Sequence, residues 1–500
     1  QGANWIPADC FPGRVTHQRQ VDLLQSACAA HFNLLRVWGG GVYESDEFYD
    51  LCDEYGLLVW QDFMFACALY PGDDRFLHEV KAEARGQVRR LAAHACLALW
   101  CGNNENEQAL LGAFWNHPEH RDEYQRAYQH LYHQLLPQVL HEEDPERPYW
   151  PSSPSNGMNL WGEPNDFARG DAHAWDVWSH GHDFTQVWQM HPRFVSEFGY
   201  QSAPSMASLE KVLPPEALDF HGGLFGRRQR CGFGHRTLEK QMAVWFPSPR
   251  DFAETVYYTQ VLQALSLKYA IEHWRRMRPE CMGIVYWQLN DIWPGMSWSS
   301  LEFDGSWKLP HHELVNLFAP VLVCAGEAYG RLEIWVSNHR LENVSGDLTV
   351  RLWSWSGERL REFSLPVTVP AQNSQKCWDT PLPEIFPDPC RHERFLTLHF
   401  SGNGAELRNA YFPEPFKNTR LAEAKIKISE VREKQGSLRF QVSADQPAPY
   451  VYLTAGALAG RFADNGFLLM PGETREVVFT PVEPVDVKAF AAALRMRSIR

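Results

Sequence analysis

The chain has 500 residues, 44% of them hydrophobic, and a formal charge of -14 at pH 7. That length exceeds what one core usually serves, so two to four domains with substantial cores are expected. The acidic balance argues against a nucleic-acid or anionic-membrane partner, and no run approaches the roughly 18 uninterrupted apolar residues of a membrane span. The first residues, Gln1-Gly2-Ala3-Asn4-Trp5, carry neither an initiator Met nor a charged segment followed by an apolar one, which leaves targeting open. The 11 Cys, spread from Cys10 to Cys390 without a close C-x-x-C pair, do not form a disulfide scaffold. They favour a reducing, cytoplasmic compartment, and the single sequon Asn343-Val344-Ser345 does not overturn that preference.

From the first residues to about 320, short apolar runs alternate with stretches of helical period. The runs are 4–7, 34–38, 57–60, 97–101, 148–152, 172–175, 193–196 and 283–287. Helical stretches fall at 18–31, at 45–55 with Ser45 as its cap, at 75–94 and at 251–276. Eight runs with helices between them predict a closed (β/α)8 barrel rather than an open sheet. After about 325 the texture changes to alternation at 331–336, 347–354 and 394–400, the pattern of a β-sandwich, with the Pro-rich stretch 381–389 as a loop. A second set, 426–428, 438–442, 450–453 and 476–479, predicts a smaller sandwich. The expected domains are therefore a catalytic barrel over 1–325, an immunoglobulin-like sandwich over 326–420 and a small sandwich over 421–500.

Two of the apolar runs lead into a glutamate: Leu97-Ala98-Leu99-Trp100-Cys101-Gly102-Asn103-Asn104-Glu105 and Phe194-Val195-Ser196-Glu197-Phe198-Gly199. Barrel enzymes place their chemistry where parallel strands end, and two carboxylates so placed suggest glycosidic bond cleavage. The 20 Trp and 17 Tyr fit a neutral substrate of that kind, because flat aromatic faces cover the C–H faces of sugar rings. Glu105 lies just beyond its strand, where a side chain can point into the barrel mouth. Glu107 fits the first turn of a helix, where the dipole favours negative charge. An enclosed Glu197 needs a cationic or hydrogen-bonding neighbour, and Arg36, inside Leu34-Leu35-Arg36-Val37-Trp38, is the candidate; pairing of Arg36 with Asp62 is the competing reading. In Trp38-Gly39-Gly40-Gly41 the glycines let backbone approach a ligand under a flat ring, and Trp287 is placed similarly; core packing is the alternative for both tryptophans. His180-Gly181-His182 and His311-His312-Glu313 lack further ligands for a metal and read as structural.

At these residues the chain resembles the β-mannosidases of glycoside hydrolase family 2. The matching stretches are Gly2-Ala3-Asn4-Trp5-Ile6-Pro7-Ala8-Asp9, Leu35-Arg36-Val37-Trp38-Gly39-Gly40-Gly41-Val42-Tyr43 and Val59-Trp60-Gln61-Asp62-Phe63-Met64-Phe65-Ala66-Cys67. They continue with Trp100-Cys101-Gly102-Asn103-Asn104-Glu105-Asn106-Glu107, Tyr149-Trp150-Pro151-Ser152-Ser153-Pro154-Ser155 and Ser196-Glu197-Phe198-Gly199-Tyr200-Gln201-Ser202. The resemblance implies Glu105 as general acid/base, Asn104 on the sugar 2-hydroxyl, Glu197 as nucleophile and Arg36 as its stabiliser. It implies that Trp38 and Trp287 shape the terminal mannose subsite, with His173, Trp175 and Trp178 lining the same pocket. The expected activity is that of a retaining exo-β-mannosidase on manno-oligosaccharides or glycans, with no metal or organic cofactor. The alternatives are a related exo-β-glucosaminidase or endo-β-mannosidase, or a truncated carbohydrate-binding chain without turnover. Family members carry a sugar-binding-like sandwich and an immunoglobulin-like domain ahead of the barrel. These 500 residues open on the first barrel strand, so either a fragment or a numbering that begins mid-protein is expected.

Overall fold

Each of the eight apolar runs forms a strand, because a parallel strand buried on both faces satisfies its backbone in the sheet and its side chains in the core. The computed structural model describes residues 1–112, 118–158 and 162–500. Gly2–Trp5 (β1), Leu34–Val37 (β2), Leu58–Asp62 (β3), Leu97–Cys101 (β4), Tyr149–Trp150 (β5), Ala172–Ala174 (β6), Phe194–Phe198 (β7) and Gly283–Tyr286 (β8) build one eight-stranded sheet. Its order is β5-β4-β3-β2-β1-β8-β7-β6 and every neighbouring pair is parallel, the curled sheet of a TIM-type barrel. Between β5 and β6 the connection is made by flanking residues: Asp171 N–H donates to Ser155 O at 3.3 Å, and Trp150 Nε1–H donates to Asp171 Oδ1 at 2.7 Å.

The chain divides into two compact units, the first comprising Gln1–Val177, Trp188–Gly199 and Glu280–Trp293, and holding all eight barrel strands. Its helices begin where a side chain can satisfy free N–H groups. Thr16 accepts from Arg19 N–H ahead of His17–Ala29, and Asp73 from Phe76 N–H ahead of Asp74–Leu91. Ser45 stands at the cap position of Asp46–Tyr55 but does not close the bond; its hydroxyl accepts from Gln20 Nε2 at 3.2 Å instead. Gly56 ends that helix at φ 68°, a left-handed conformation in which glycine carries no Cβ penalty.

The second unit comprises Trp178–Val187, Tyr200–Pro279 and Pro294–Arg500. Phe252–Arg276, capped by Asp251, is buried on nearly every side, and its apolar character accordingly runs all round the helix. Val321–Ala328 (β9), Arg331–Asn338 (β10), Val344–Ser354 (β11), Arg359–Val369 (β12), Asn373–Pro381 (β13), Arg394–Gly402 (β14) and Ala405–Tyr411 (β15) form two antiparallel sheets, β13-β10-β9 and β12-β11-β14-β15. Alternate residues Leu332, Ile334 and Val336 of β10 and Leu348, Val350 and Leu352 of β11 enter one core. The Pro-rich stretch is not a plain loop: it holds a helical turn, Leu382–Ile385, and a 3-10 turn, Asp388–Glu393, each with proline near its start, where a missing N–H costs nothing. Ile426–Lys434 (β16), Ser437–Ala444 (β17), Ala448–Thr454 (β18), Gly460–Phe462 (β19), Phe467–Leu469 (β20), Thr474–Pro481 (β21) and Arg495–Arg497 (β22) form the sheets β16-β17-β21-β19 and β20-β18-β22 around Phe440, Val442, Val451 and Phe479. Among the described residues no helix is long and apolar enough to cross a membrane.

Leu348 is fully buried in the larger sandwich, so Leu348→Ala is expected to destabilise that domain by about 2–5 kcal/mol. Urea unfolding followed by tryptophan fluorescence checks this, the expected result being a lower midpoint.

Candidate functional site

Arg36 on β2 has no solvent exposure, and its backbone register places it between Asn4 of β1 and Trp60 of β3. A buried guanidinium must find an acceptor for every N–H. Nε–H and one Nη2–H reach the two oxygens of Asp62 at 3.3 and 2.8 Å. The second Nη2–H goes to Asn104 Oδ1 at 2.7 Å, and Nη1 donates to Asn4 Oδ1 at 3.0 Å and Glu197 Oε1 at 2.7 Å. Arg36 therefore pairs with both acids that the sequence offered as alternatives. Asp62 is completed by Trp60 Nε1–H at 2.9 Å and Gly39 N–H at 3.0 Å.

Glu197 lies within β7, and Glu105 lies past the end of β4 at the N-cap of Asn106–Leu110. Asn104 N–H donates to Phe65 O at 2.9 Å and Glu105 N–H to Ser153 O at 2.8 Å, which fixes the segment on both sides. Under that restraint Glu105 holds φ 60°, ψ 7°, an unusual conformation for a residue with a side chain and one that concentrates at functional sites. His173, the register partner of Glu197 on β6, stands between the acids, with Nδ1 2.8 Å from Glu105 Oε1 and 3.5 Å from Glu197 Oε2. One carboxylate oxygen of each glutamate and a His173 ring nitrogen all lie within 4.8 Å of one another. Trp175 Nε1–H donates to Glu197 Oε2 at 3.3 Å, and the Cys67 thiol lies 3.5 Å from Glu105 Oε2.

Burial disfavours charge on every one of these groups, and their neighbours decide how each settles. For Arg36 burial is outweighed by Asp62 and Glu197, and the proton is held more tightly than usual. Burial prevails at Glu197, whose carboxyl is raised against the pull of His173 and Arg36. At Glu105 the hydrogen bond and charge of His173 prevail over burial and lower it. For His173 itself the carboxylates, Glu197 foremost, overcome burial and raise it. Burial, reinforced by Glu105, pushes the Cys67 thiol up to about 12, so it stays protonated as a weak donor.

Glu105, Glu197, Arg36, Asn104 and His173 thus form one constellation. Trp38 and Trp287 pack edge to face with centroids 5.0 Å apart, and Gly40 lies against the first of them: a Cβ on it would come within 2.0 Å of the Trp38 ring. Trp178 belongs to the second unit as a core ring against Tyr200, Phe233 and Trp298. Glu107 stands in the first turn of Asn106–Leu110 as expected, but enclosed: it is 1% exposed, accepts from Ser155 Oγ at 2.8 Å, and burial raises it to about 7. Sequence reasoning missed Ser153, Asp171 and Cys67, whose only signal was membership of, or closeness to, the matching stretches. Among the described residues two clusters have donor atoms spaced for a metal ion, Glu105–His173–Glu197 and Asp53–His94–Cys96; in both, the histidine and a carboxylate are already joined at 2.8 Å.

The chain matches a family model described as a mannosidase Ig/CBM-like domain over residues 330–418 and an Ig-fold domain model over residues 421–500. It is 39% identical to a β-mannosidase of Bos taurus, across 100% of this chain and 60% of that protein. The solved β-D-mannosidase of Dictyoglomus thermophilum superposes with a TM-score of 0.90 at 32% identity, covering 100% of this chain and 60% of the other. An exo-chitosanase of Amycolatopsis orientalis shares the fold, with a TM-score of 0.75 at 15% identity over 100% of this chain and 62% of that one. Over its whole length the chain is similar to proteins named β-mannosidases, and it spans about 60% of the length of the curated relatives it matches.

The raised Glu107 carboxyl contributes stability that is fully present below pH 4.5 and is lost as pH rises through about 7. Glu107→Gln is expected to remove that loss, so the variant gains on the wild type between pH 4.5 and 8 by roughly 3 kcal/mol at most. Urea midpoints measured across that range check the slope; a constant difference would contradict it.

Proposed function

We propose that residues 1–325 carry the active site of a retaining, exo-acting β-mannosidase that releases terminal non-reducing mannose from manno-oligosaccharides or glycans. In this reading the segments 326–420 and 421–500 are accessory sandwich domains. The approach of a Glu105 oxygen to within 4.8 Å of a Glu197 oxygen carries the proposal, because retaining pairs stand roughly 5–5.5 Å apart and inverting pairs roughly 6.5–9.5 Å. The kinship with proteins named β-mannosidases supports the choice of sugar.

Glu197, held by Arg36 and Trp175, attacks the anomeric carbon as a carboxylate, while Glu105 protonates the departing oxygen. Forming the ester removes the Glu197 charge, and Glu105, now a carboxylate, takes a proton from the water that hydrolyses the ester. Asn104 offers its amide group to the sugar 2-hydroxyl: Oδ1 is tied to Arg36, and Nδ2 meets only the weak acceptor Cys67 Sγ at 3.3 Å. Trp38 and Trp287 bound the sugar's subsite. The cysteines, all free thiols, support a reducing compartment.

Glu197→Gln is expected to lower mannose release from β-1,4-mannobiose by roughly 1,000-fold or more, as is Glu105→Gln. Only Glu105→Gln should spare the glycosylation of 2,4-dinitrophenyl β-mannoside, whose leaving group needs no proton. Mannose release that survives Glu197→Gln, or preferred release of glucosamine from chitosan oligomers, would overturn the proposal.

A further inference from the structure

Behind the two glutamates lies a buried chain of hydroxyls that ends on a third carboxylate. His173 Nε2 is 3.0 Å from Ser153 Oγ, which is 2.6 Å from Asp171 Oδ2. Ser153 has no exposure and Asp171 has 3%. The Asp171 carboxylate is pinned by four donors: Trp150 Nε1–H at 2.7 Å and Ser155 N–H at 3.0 Å on Oδ1, and the Ser153 and Ser196 hydroxyls at 2.6 and 2.5 Å on Oδ2.

Counting protons along this chain fixes the imidazole. A serine hydroxyl has one hydrogen, and a carboxylate can only accept. Ser153 also stands 3.2 Å from Ser196 Oγ, but its 2.6 Å contact with Asp171 Oδ2 takes its hydrogen, so toward the ring it can only accept, and Nε2 must carry a hydrogen. Nδ1 and Glu105 Oε1, 2.8 Å apart, then share a single proton, either on an imidazolium beside a carboxylate or on a carboxylic acid beside a neutral ring. The other ionisable or charged groups facing His173 are Glu197 from β7, Arg36 from β2 with Asp62 of β3 behind it, and the Cys67 thiol beside Glu105. Glu107 is linked to Asp171 through Ser155, whose hydroxyl it accepts at 2.8 Å, and feels the Asp171 charge directly.

We propose that Asp171, acting through Ser153, is a positioning residue that locks His173 in the Nε2–H form, so that the proton Glu105 delivers to the glycosidic oxygen is held in the Nδ1–Oε1 hydrogen bond. The proposal rests on the glycosidase reading of the site. In glycosylation the Nδ1–H bond breaks, its electron pair stays on Nδ1, and the proton passes to Oε1 and on to the leaving oxygen. In deglycosylation a water proton reaches Oε1 and returns to Nδ1. The raised His173 and lowered Glu105 agree with a proton that rests on the ring in the empty site.

Asp171→Asn tests this directly. Trp150 and Ser155 donate to the position of Oδ1, so the amide oxygen takes that place and the NH2 falls against Ser153 Oγ. Ser153 then accepts from the amide and turns its hydrogen to Nε2 at 3.0 Å, the nearer of its two remaining acceptors, Ser196 Oγ being at 3.2 Å; this favours the Nδ1–H form and leaves Glu105 no proton to receive without unpairing Nε2. Expected are a fall of about 100-fold in kcat/KM on β-1,4-mannobiose with KM little changed, and a much smaller fall on 2,4-dinitrophenyl β-mannoside. Nitrogen NMR of His173 in the empty site should show hydrogens on both ring nitrogens in the wild type and on Nδ1 alone in Asp171→Asn. Ser153→Ala, which deletes the link without imposing the opposite form, should lose less than Asp171→Asn. An unchanged Nε2–H form in Asp171→Asn, or equal losses on both substrates, would overturn the proposal. Failure of the wild type to hydrolyse any β-mannoside would instead remove the glycosidase reading, and the NMR result would still decide the tautomer.

Discussion

Five N–H donors on one guanidinium, sealed from water, set the geometry on which the site depends. Arg36 satisfies them with Asn4 from β1, Asp62 from β3, Asn104 from the segment after β4 and Glu197 from β7, so parts of the sheet that are distant in sequence converge on one point. Leaving one of these anions buried without its cation would cost about 3–5 kcal/mol, far more than a surface pair is worth. A lysine could not replace it, because three donors on one nitrogen cannot span the same acceptors. The same contacts fix the rotamers of Glu197 and Asn104, and a site built on strand residues in this way is pre-organised before any ligand arrives.

That arrangement sets a problem of proton order. With the site empty, burial raises Glu197 and the closeness of His173 lowers Glu105, the reverse of the order that the proposed attack by Glu197 needs. In the proposed mechanism, passing the shared proton from His173 to Glu105 inverts it. Glu105 becomes neutral, and Arg36 at 2.7 Å remains to hold Glu197 as an anion. The separation of roles comes from distance, 2.8 Å against 3.5 Å from the same ring nitrogen, and from which neighbour carries a permanent charge.

The strands and the two glutamates were legible because the signals are local. A parallel strand buried on both faces is an apolar run of a few residues, and a carboxylate at its end has no structural reason to be there. Glu197 proved to lie inside β7, and Ser45 to sit at a helix start without capping it, since tertiary partners compete with local ones. His173, Ser153 and Asp171 were harder. Their roles depend on hydrogen bonds between β6, the segment after β5 and the segment after β4, and nothing in the spacing of a His, a Ser and an Asp announces a shared proton. For Glu107 the position in the first helical turn was visible in sequence, while its burial under Ser155 is a product of barrel closure.

The central claim is that two carboxylates this close act by double displacement, which leaves the anomeric configuration unchanged. Proton NMR of the first sugar released from an aryl β-mannoside, recorded before mutarotation, tests it most directly. The expected product is β-mannose; initial appearance of α-mannose would mean single-step inversion and would contradict the assignment of Glu197 as nucleophile.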